Sequence, residues 1–233
     1  MNEKILVVDD EKEIADLIEV YLKNDGYTVY KFYNGIDALK CVESTQLDLA
    51  ILDVMLPDID GFQICQKIRE TFYYPIIMLT AKIEDGDKIM GLTIGADDYI
   101  TKPFNPLEVV ARVKTQLRRY TRYNNPNPAS SNNLTEYDIR GLLINKETHK
   151  CFLFGKELPL TPIEFSILWY LCEHQGAVVS SEELYEAVWG ASYLNNNNTV
   201  MAHIGRLREK MNEPAKKPKF IKTVWGVGYT IEK

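Results

Sequence analysis

Five short aliphatic runs, at residues 5–8, 28–30, 47–52, 76–79 and 98–100, alternate with amphipathic stretches over the first half of the chain, and no other feature limits its folds more. Runs of this length are strand-sized. Between them apolar residues recur at helical spacing: Ile14, Leu17, Ile18, Tyr21 and Leu22, then Ile64 and Ile68, and later Leu107, Val110, Val113 and Leu117. Strands alternating with helices predict an α/β unit, a (βα)5 doubly wound parallel sheet covered on both faces. In such sheets chemistry gathers at the carboxyl ends of the strands.

Polar groups stand at those ends: Asp9 and Asp10 after the first run, Asp53 after the third, Thr80 after the fourth and Lys102 just past the fifth. Taken singly, an Asp or Thr there is most often a turn former or helix cap, and Lys102 a solvated lysine. Together they argue for chemistry, because caps need neither a lysine nor a hydroxyl facing an acidic pair. Three close carboxylates repel unless a cation sits among them, and hard oxygen ligands in a wet cleft suit Mg²⁺. A carboxylate can also attack phosphorus to give an acyl phosphate. Mg²⁺ and Lys102 would then neutralise phosphoryl oxygens, with the Thr80 hydroxyl donating to one.

The second half reads differently. Residues 122–135 lack apolar periodicity and carry Pro126 and Pro128, which marks a linker between a first unit at 1–121 and a second at 136–233. Strand-like pieces follow at 137–145 and 150–154, helical patterns at 162–174, 181–189 and 198–211, and a glycine-centred hairpin at 220–231. In the third helical pattern Val200, Ile204, Leu207 and Met211 share one face, and His203, Arg206, Arg208 and Lys210 take the opposite side. Charge divides the halves too. Residues 1–133 hold 15 Lys+Arg against 21 Asp+Glu, whereas residues 197–233 hold 8 against 3. A basic tail behind an acidic front points to nucleic acid as a partner of the second half. The four cysteines show no metal or disulfide spacing and read as buried thiols, and no run is long enough to cross a membrane, so a cytoplasmic protein is expected.

The motifs Val8-Asp9-Asp10-Glu11, Leu52-Asp53-Val54-Met55-Leu56-Pro57-Asp58-Ile59-Asp60-Gly61, Met78-Leu79-Thr80-Ala81 and Gly95-Ala96-Asp97-Asp98-Tyr99-Ile100-Thr101-Lys102-Pro103-Phe104 resemble the receiver domain of two-component response regulators. That resemblance implies that Asp53 accepts phosphate from a sensor histidine kinase. It also implies that Asp10, Asp53 and the Met55 carbonyl hold Mg²⁺ with Asp9 ligating through water, that Thr80 and Tyr99 form a switch pair, and that Lys102-Pro103 is cis. In the OmpR/PhoB branch the surface of the fourth helix and fifth strand forms a homodimer on phosphorylation. The matching residues are Lys88, Asp97, Asp98, Glu108, Arg112 and Arg119, with Lys88 facing Glu108, Asp98 facing Arg112 and Asp97 facing Arg119 across the two-fold axis.

The order from 134 onward, with Leu160-Thr161-Pro162-Ile163-Glu164-Phe165 opening the first helix, resembles the winged helix-turn-helix effector of the same branch. On that match Met201, Ala202 and Arg206 face bases of double-stranded promoter DNA, and Thr199, His203, Arg208 and Tyr229 contact phosphates. Gly205 and Trp225 depart from the branch, which usually has a longer basic residue at the first and a minor-groove arginine at the second. Gly91-Leu92-Thr93-Ile94-Gly95 and Leu207-Arg208-Glu209-Lys210-Met211-Asn212 resemble the subgroup that governs glycopeptide resistance, Trp225 included. The resemblance implies RNA polymerase as a further partner and no catalysis beyond slow loss of the chain's own phosphate. A phosphatase with an aspartyl nucleophile needs a second acid two residues on, where Met55 stands. An output unit that bound RNA or protein instead would show no salt-sensitive binding to duplex DNA.

Overall fold

The computed structural model describes residues 3–81, 95–124, 135–190, 197–214 and 217–232. The chain divides into two compact units, Met1–Arg118 and Arg119–Lys233.

In the first unit, β1 (Lys4–Val8), α1 (Lys12–Asn24), β2 (Thr28–Phe32), α2 (Gly35–Ser44), β3 (Leu49–Asp53), α3 (Gly61–Arg69), β4 (Ile76–Ala81), β5 (Asp98–Lys102) and α4 (Pro106–Asn124) follow in order. All the strand pairs are parallel, in the order β2-β1-β3-β4-β5. Alternation along the strands decides which helices cover which face. Ile5, Val7, Leu49, Ile51, Ile77 and Leu79 pack with Ile18 and Leu22 of α1 and Val109, Val113 and Leu117 of α4. Leu6, Ala50, Leu52 and Met78, fully buried as well, point the other way, toward the side on which α2 and α3 meet the sheet. The helix expected between β4 and β5, and Lys88 with it, lies outside the described residues. One boundary moved. α4 is described as far as Asn124, into the stretch read as linker.

The second unit opens with an antiparallel sheet of β6 (Glu136–Ile139), β7 (Leu142–Asn145), β8 (Lys150–Leu153) and β9 (Lys156–Glu157). The piece read as one strand at 137–145 is a hairpin, turned at Arg140 and Gly141, whose φ angles of 53° and 91° are both left-handed. Next come α5 (Pro162–Glu173), β10 (Val179–Ser180), α6 (Ser181–Trp189), α7 (Asn197–Lys210), β11 (Ile221–Val224) and β12 (Gly228–Ile231), the last two forming a hairpin to which β10 adds a strand. α5 starts where expected, with Pro162 in its first turn and a reciprocal cap in which Thr161 Oγ1 accepts from Glu164 N and Glu164 Oε2 from Thr161 N. Its residues Ile163, Ile167, Leu168 and Leu171 are buried in one core with Leu184, Val188, Val200, Ile204 and Leu207. Cys41, Cys65, Cys151 and Cys172 are all buried thiols, and burial pushes those of Cys151 and Cys172 up to about 12.

Candidate functional site

Because β1, β3, β4 and β5 are parallel and adjacent in the order 1-3-4-5, their carboxyl ends deliver Asp9, Asp10, Asp53, Thr80 and Lys102 to one edge. Carboxylate oxygens of Asp9, Asp10 and Asp53 all lie within 4.8 Å of one another. Asp9 and Asp53 are buried, and Asp10 is open to solvent. Lys102 Nζ bridges the group, 2.8 Å from Asp53 Oδ2, 2.9 Å from Asp9 Oδ2 and 3.0 Å from Glu11 Oε1. Asp9 Oδ1 accepts from Glu11 N and Asp53 Oδ1 from Met55 N, which holds each carboxylate over the loop that follows its strand.

The electrostatics leave this edge short of positive charge. Burial drives the Asp9 carboxyl up to about 6, against the hydrogen bond from Lys102, and burial likewise raises Asp53, with the charge of Asp10 adding to it. Burial alone would lower Lys102, but its hydrogen bonds to Asp53, Asp9 and Glu11 outweigh that and raise it, so it stays protonated. Among the described residues one ammonium faces four carboxylates, all with hard oxygens and one side open to water, an arrangement that fits a divalent cation such as Mg²⁺. Thr80, at the end of β4, is buried and turns its hydroxyl to the Ala81 carbonyl at 2.9 Å. Tyr99 is half-buried on β5. The Lys102-Pro103 peptide is cis.

The loop between Asp53 and α3 is pinned at both ends. A side chain on Gly61 would collide with the Asp53 carbonyl oxygen, so only glycine lets α3 start against the strand end, and Gly61 N donates to Val54 O at 3.0 Å. Asp58 caps α2 with both carboxylate oxygens, accepting from Gly35 N and Ile36 N at 2.9 Å each. The site motifs contain Glu11 and Asp58, but the sequence reading gave neither a role. A third acid directly after Asp9-Asp10 was the available signal for Glu11, whereas Asp58 looks like any turn aspartate.

The charged residues assigned to a dimer face are differently placed. Asp97 is fully buried, its Oδ2 bonded to Arg69 Nη2 at 2.6 Å and to Ile76 N at 2.8 Å, so the expectation that it faces Arg119 of another chain is corrected. Arg69 was missed because a lone arginine at a helix end carries no pattern. It also donates to the carbonyls of Gly95 and Tyr74. Within the single chain Arg112 holds Asp98 with two 2.9 Å bonds and Glu108 with two more, at 2.9 and 3.1 Å. The side chain of Arg119 lies outside the described residues.

In the second unit α7 buries Val200, Ile204, Leu207 and Met211 as its periodicity requires. Several contacts assigned to DNA do not face outward. His203 is fully buried with its ring 5.4 Å from that of Trp189 in α6, and Arg206 is only 6 % exposed, so the flanks of the helix are buried more widely than its apolar stripe suggests. Ala202 and Tyr229 are buried too. Arg208 is half-buried and turned into the hairpin, where Nε and Nη2 bond Ile221 O and Nη2 also bonds Thr223 Oγ1. Thr199 is partly exposed, Met201 46 % exposed, and Trp225 at the hairpin turn 90 % exposed.

Comparison with known proteins agrees with both halves. Residues 5–114 match the response regulator receiver domain family, and residues 155–231 the family described as transcriptional regulatory protein, C terminal. The chain is 65 % identical over 233 residues, all of both chains, to the regulatory protein VanRc of Enterococcus gallinarum. It is 58 % identical over 234 residues, again the full length of both, to the regulatory protein VanR of Enterococcus faecium. Among solved structures it is similar to the response regulator DrrB, a Thermotoga maritima OmpR/PhoB homolog, at 36 % identity and a TM-score of 0.52 over all of both chains. A mutant of RitR aligns over both full lengths at 28 % identity and a TM-score of 0.74.

Proposed function

The chain belongs to the response regulators of the OmpR/PhoB type, DNA-binding transcription regulators with a receiver unit, and from that premise we propose that Asp53 is the switch by which a sensor histidine kinase controls its binding to promoter DNA. The observation that carries this reading is the 2.8 Å contact of Lys102 with Asp53 inside a cluster of three aspartates. An Asp53 oxygen attacks the phosphorus of the kinase phosphohistidine; the O–P bond forms as the N–P bond breaks, and the imidazole leaves with a proton from solvent. Asp10, Asp53 and the Met55 carbonyl would hold Mg²⁺, with Asp9 through water, and the bound ion would supply positive charge against the phosphoryl oxygens. Lys102 gives up part of its hold on Asp9 and Glu11 to meet the same oxygens. Thr80 swings its hydroxyl from the Ala81 carbonyl toward the phosphoryl group, and Tyr99 turns inward behind it.

The output is a homodimer on promoter DNA. Asp98, Glu108 and Arg112 already form one charged patch on β5 and α4, and exchange of these pairs between chains, with Lys88 and Arg119, builds the interface; Asp97 takes no part in it. Thr199, Met201 and Trp225 are the described residues placed to meet DNA. RNA polymerase is the partner on the promoter, and loss of phosphate is slow and unassisted. The two enterococcal relatives and the shared Trp225 support genes for glycopeptide (vancomycin) resistance as targets. Among the described residues no helix is long and apolar enough to cross a membrane, which supports a cytoplasmic location. Acetyl phosphate with Mg²⁺, followed by intact mass and phosphate-affinity electrophoresis, tests the switch. One phosphoryl group is expected on the wild-type chain and none on Asp53→Ala; equal labelling of both would remove Asp53 from the account.

A further inference from the structure

The solvent-facing stripe of α7 is Met201, Gly205 and Glu209, spaced four residues apart, with Thr199 and Arg208 on its flank. This is an unusual surface for a helix that enters a major groove, because the side chains that pair with guanine are elsewhere. Arg206 is buried and Arg208 is turned onto the hairpin strand. Among the described residues nothing lies within 4 Å of the position a Cβ would take on Gly205, so the helix backbone is open to close approach there. Glu209, exposed at the carboxyl end of the stripe, repels phosphates and confines close approach to the amino-terminal half. Of the side chains described in that half, the exposed one is the thioether of Met201, 46 % exposed and outside the core.

Resting on the DNA-binding reading above, we propose that α7 specifies its operator by apolar contact of Met201 with thymine 5-methyl groups, with Gly205 letting the helix backbone approach the bases closely. Thymine is the one base whose major-groove edge carries a methyl group, so an apolar, donor-free side chain discriminates for it. Met is suited to the task because its unbranched thioether is polarizable and adapts to the groove. The operator therefore carries thymines at fixed positions in each half-site, and guanine contacts contribute little to its selection.

The test starts from duplexes enriched out of a random pool by the full-length chain treated with acetyl phosphate. Single thymines in a recovered duplex are replaced by deoxyuridine, which lacks only the methyl group, and single guanines by 7-deazaguanine, which lacks the N7 acceptor. Wild-type protein is expected to lose about fourfold in affinity at one or two thymines, the worth of one buried methyl group. Met201→Ala, an exposed substitution that leaves the core intact, is expected to bind thymine and deoxyuridine duplexes equally. Loss at deoxyuridine that persists undiminished in Met201→Ala, or a larger loss at 7-deazaguanine than at any thymine, would overturn the inference while leaving DNA binding standing. Failure to enrich any duplex would overturn the DNA-binding reading itself, and this inference with it.

Discussion

Burial holds the Asp9 carboxyl at about 6, against 3.8 for an ordinary aspartate, so the folded, metal-free protein takes up a proton there more readily than the unfolded chain does. The sign follows: protonation of Asp9 favours the fold below about pH 4, and that advantage is lost as pH rises through about 6, leaving a charged, crowded carboxylate that costs stability. Asp9→Asn should therefore stabilise the metal-free chain at pH 8 by about 1–3 kcal/mol. Urea unfolding in EDTA checks this; the gain should shrink toward pH 4.5, and a destabilised variant at pH 8 would refute it. Asp9, Asp10, Asp53, Thr80 and Lys102 were legible in the sequence because each ends a strand of a parallel sheet. His203 and Arg206 were not, since helical spacing identifies the apolar face of α7 but not how much of its flanks is buried.

Among the elements, α1, α3 and α4 were found near their places from their periods, whereas the ten-residue α2 was expected only from the alternation of strands and helices, and the strands built from two residues were not found. β9 and β10 are too short to alternate, and they exist because longer strands, β8 and β12, offer them a free edge. The β6–β7 turn was hidden because Arg140 occupies a left-handed position that glycine or asparagine would have advertised. The hairpin of β11 and β12 is tied to α7 through the three hydrogen bonds of Arg208. Arg208→Gln should weaken DNA binding about tenfold, on the order of 1.4 kcal/mol, by loosening the hairpin from the helix. The slope of log affinity against log salt should stay unchanged, as Arg208 meets protein and not phosphate. A slope lower by about 0.9 would assign it a phosphate contact instead.

At the scale of the whole chain, an acidic first unit with three aspartates clustered at one sheet edge precedes a second unit that carries α7 and an exposed Trp225. The division was visible as a change of pattern at Pro126 and Pro128, and both units match their families separately. What the pattern did not contain was the commitment of Asp97 to Arg69, since a buried ion pair between residues 28 apart leaves no local trace. The central claim is that phosphate on Asp53 sets affinity for DNA. Its most direct measurement is the binding of wild-type and Asp53→Ala chains to one enriched duplex at fixed salt, each before and after acetyl phosphate with Mg²⁺. The account predicts that treatment raises the affinity of the wild-type chain alone; an equal rise in both, or none in either, would contradict it.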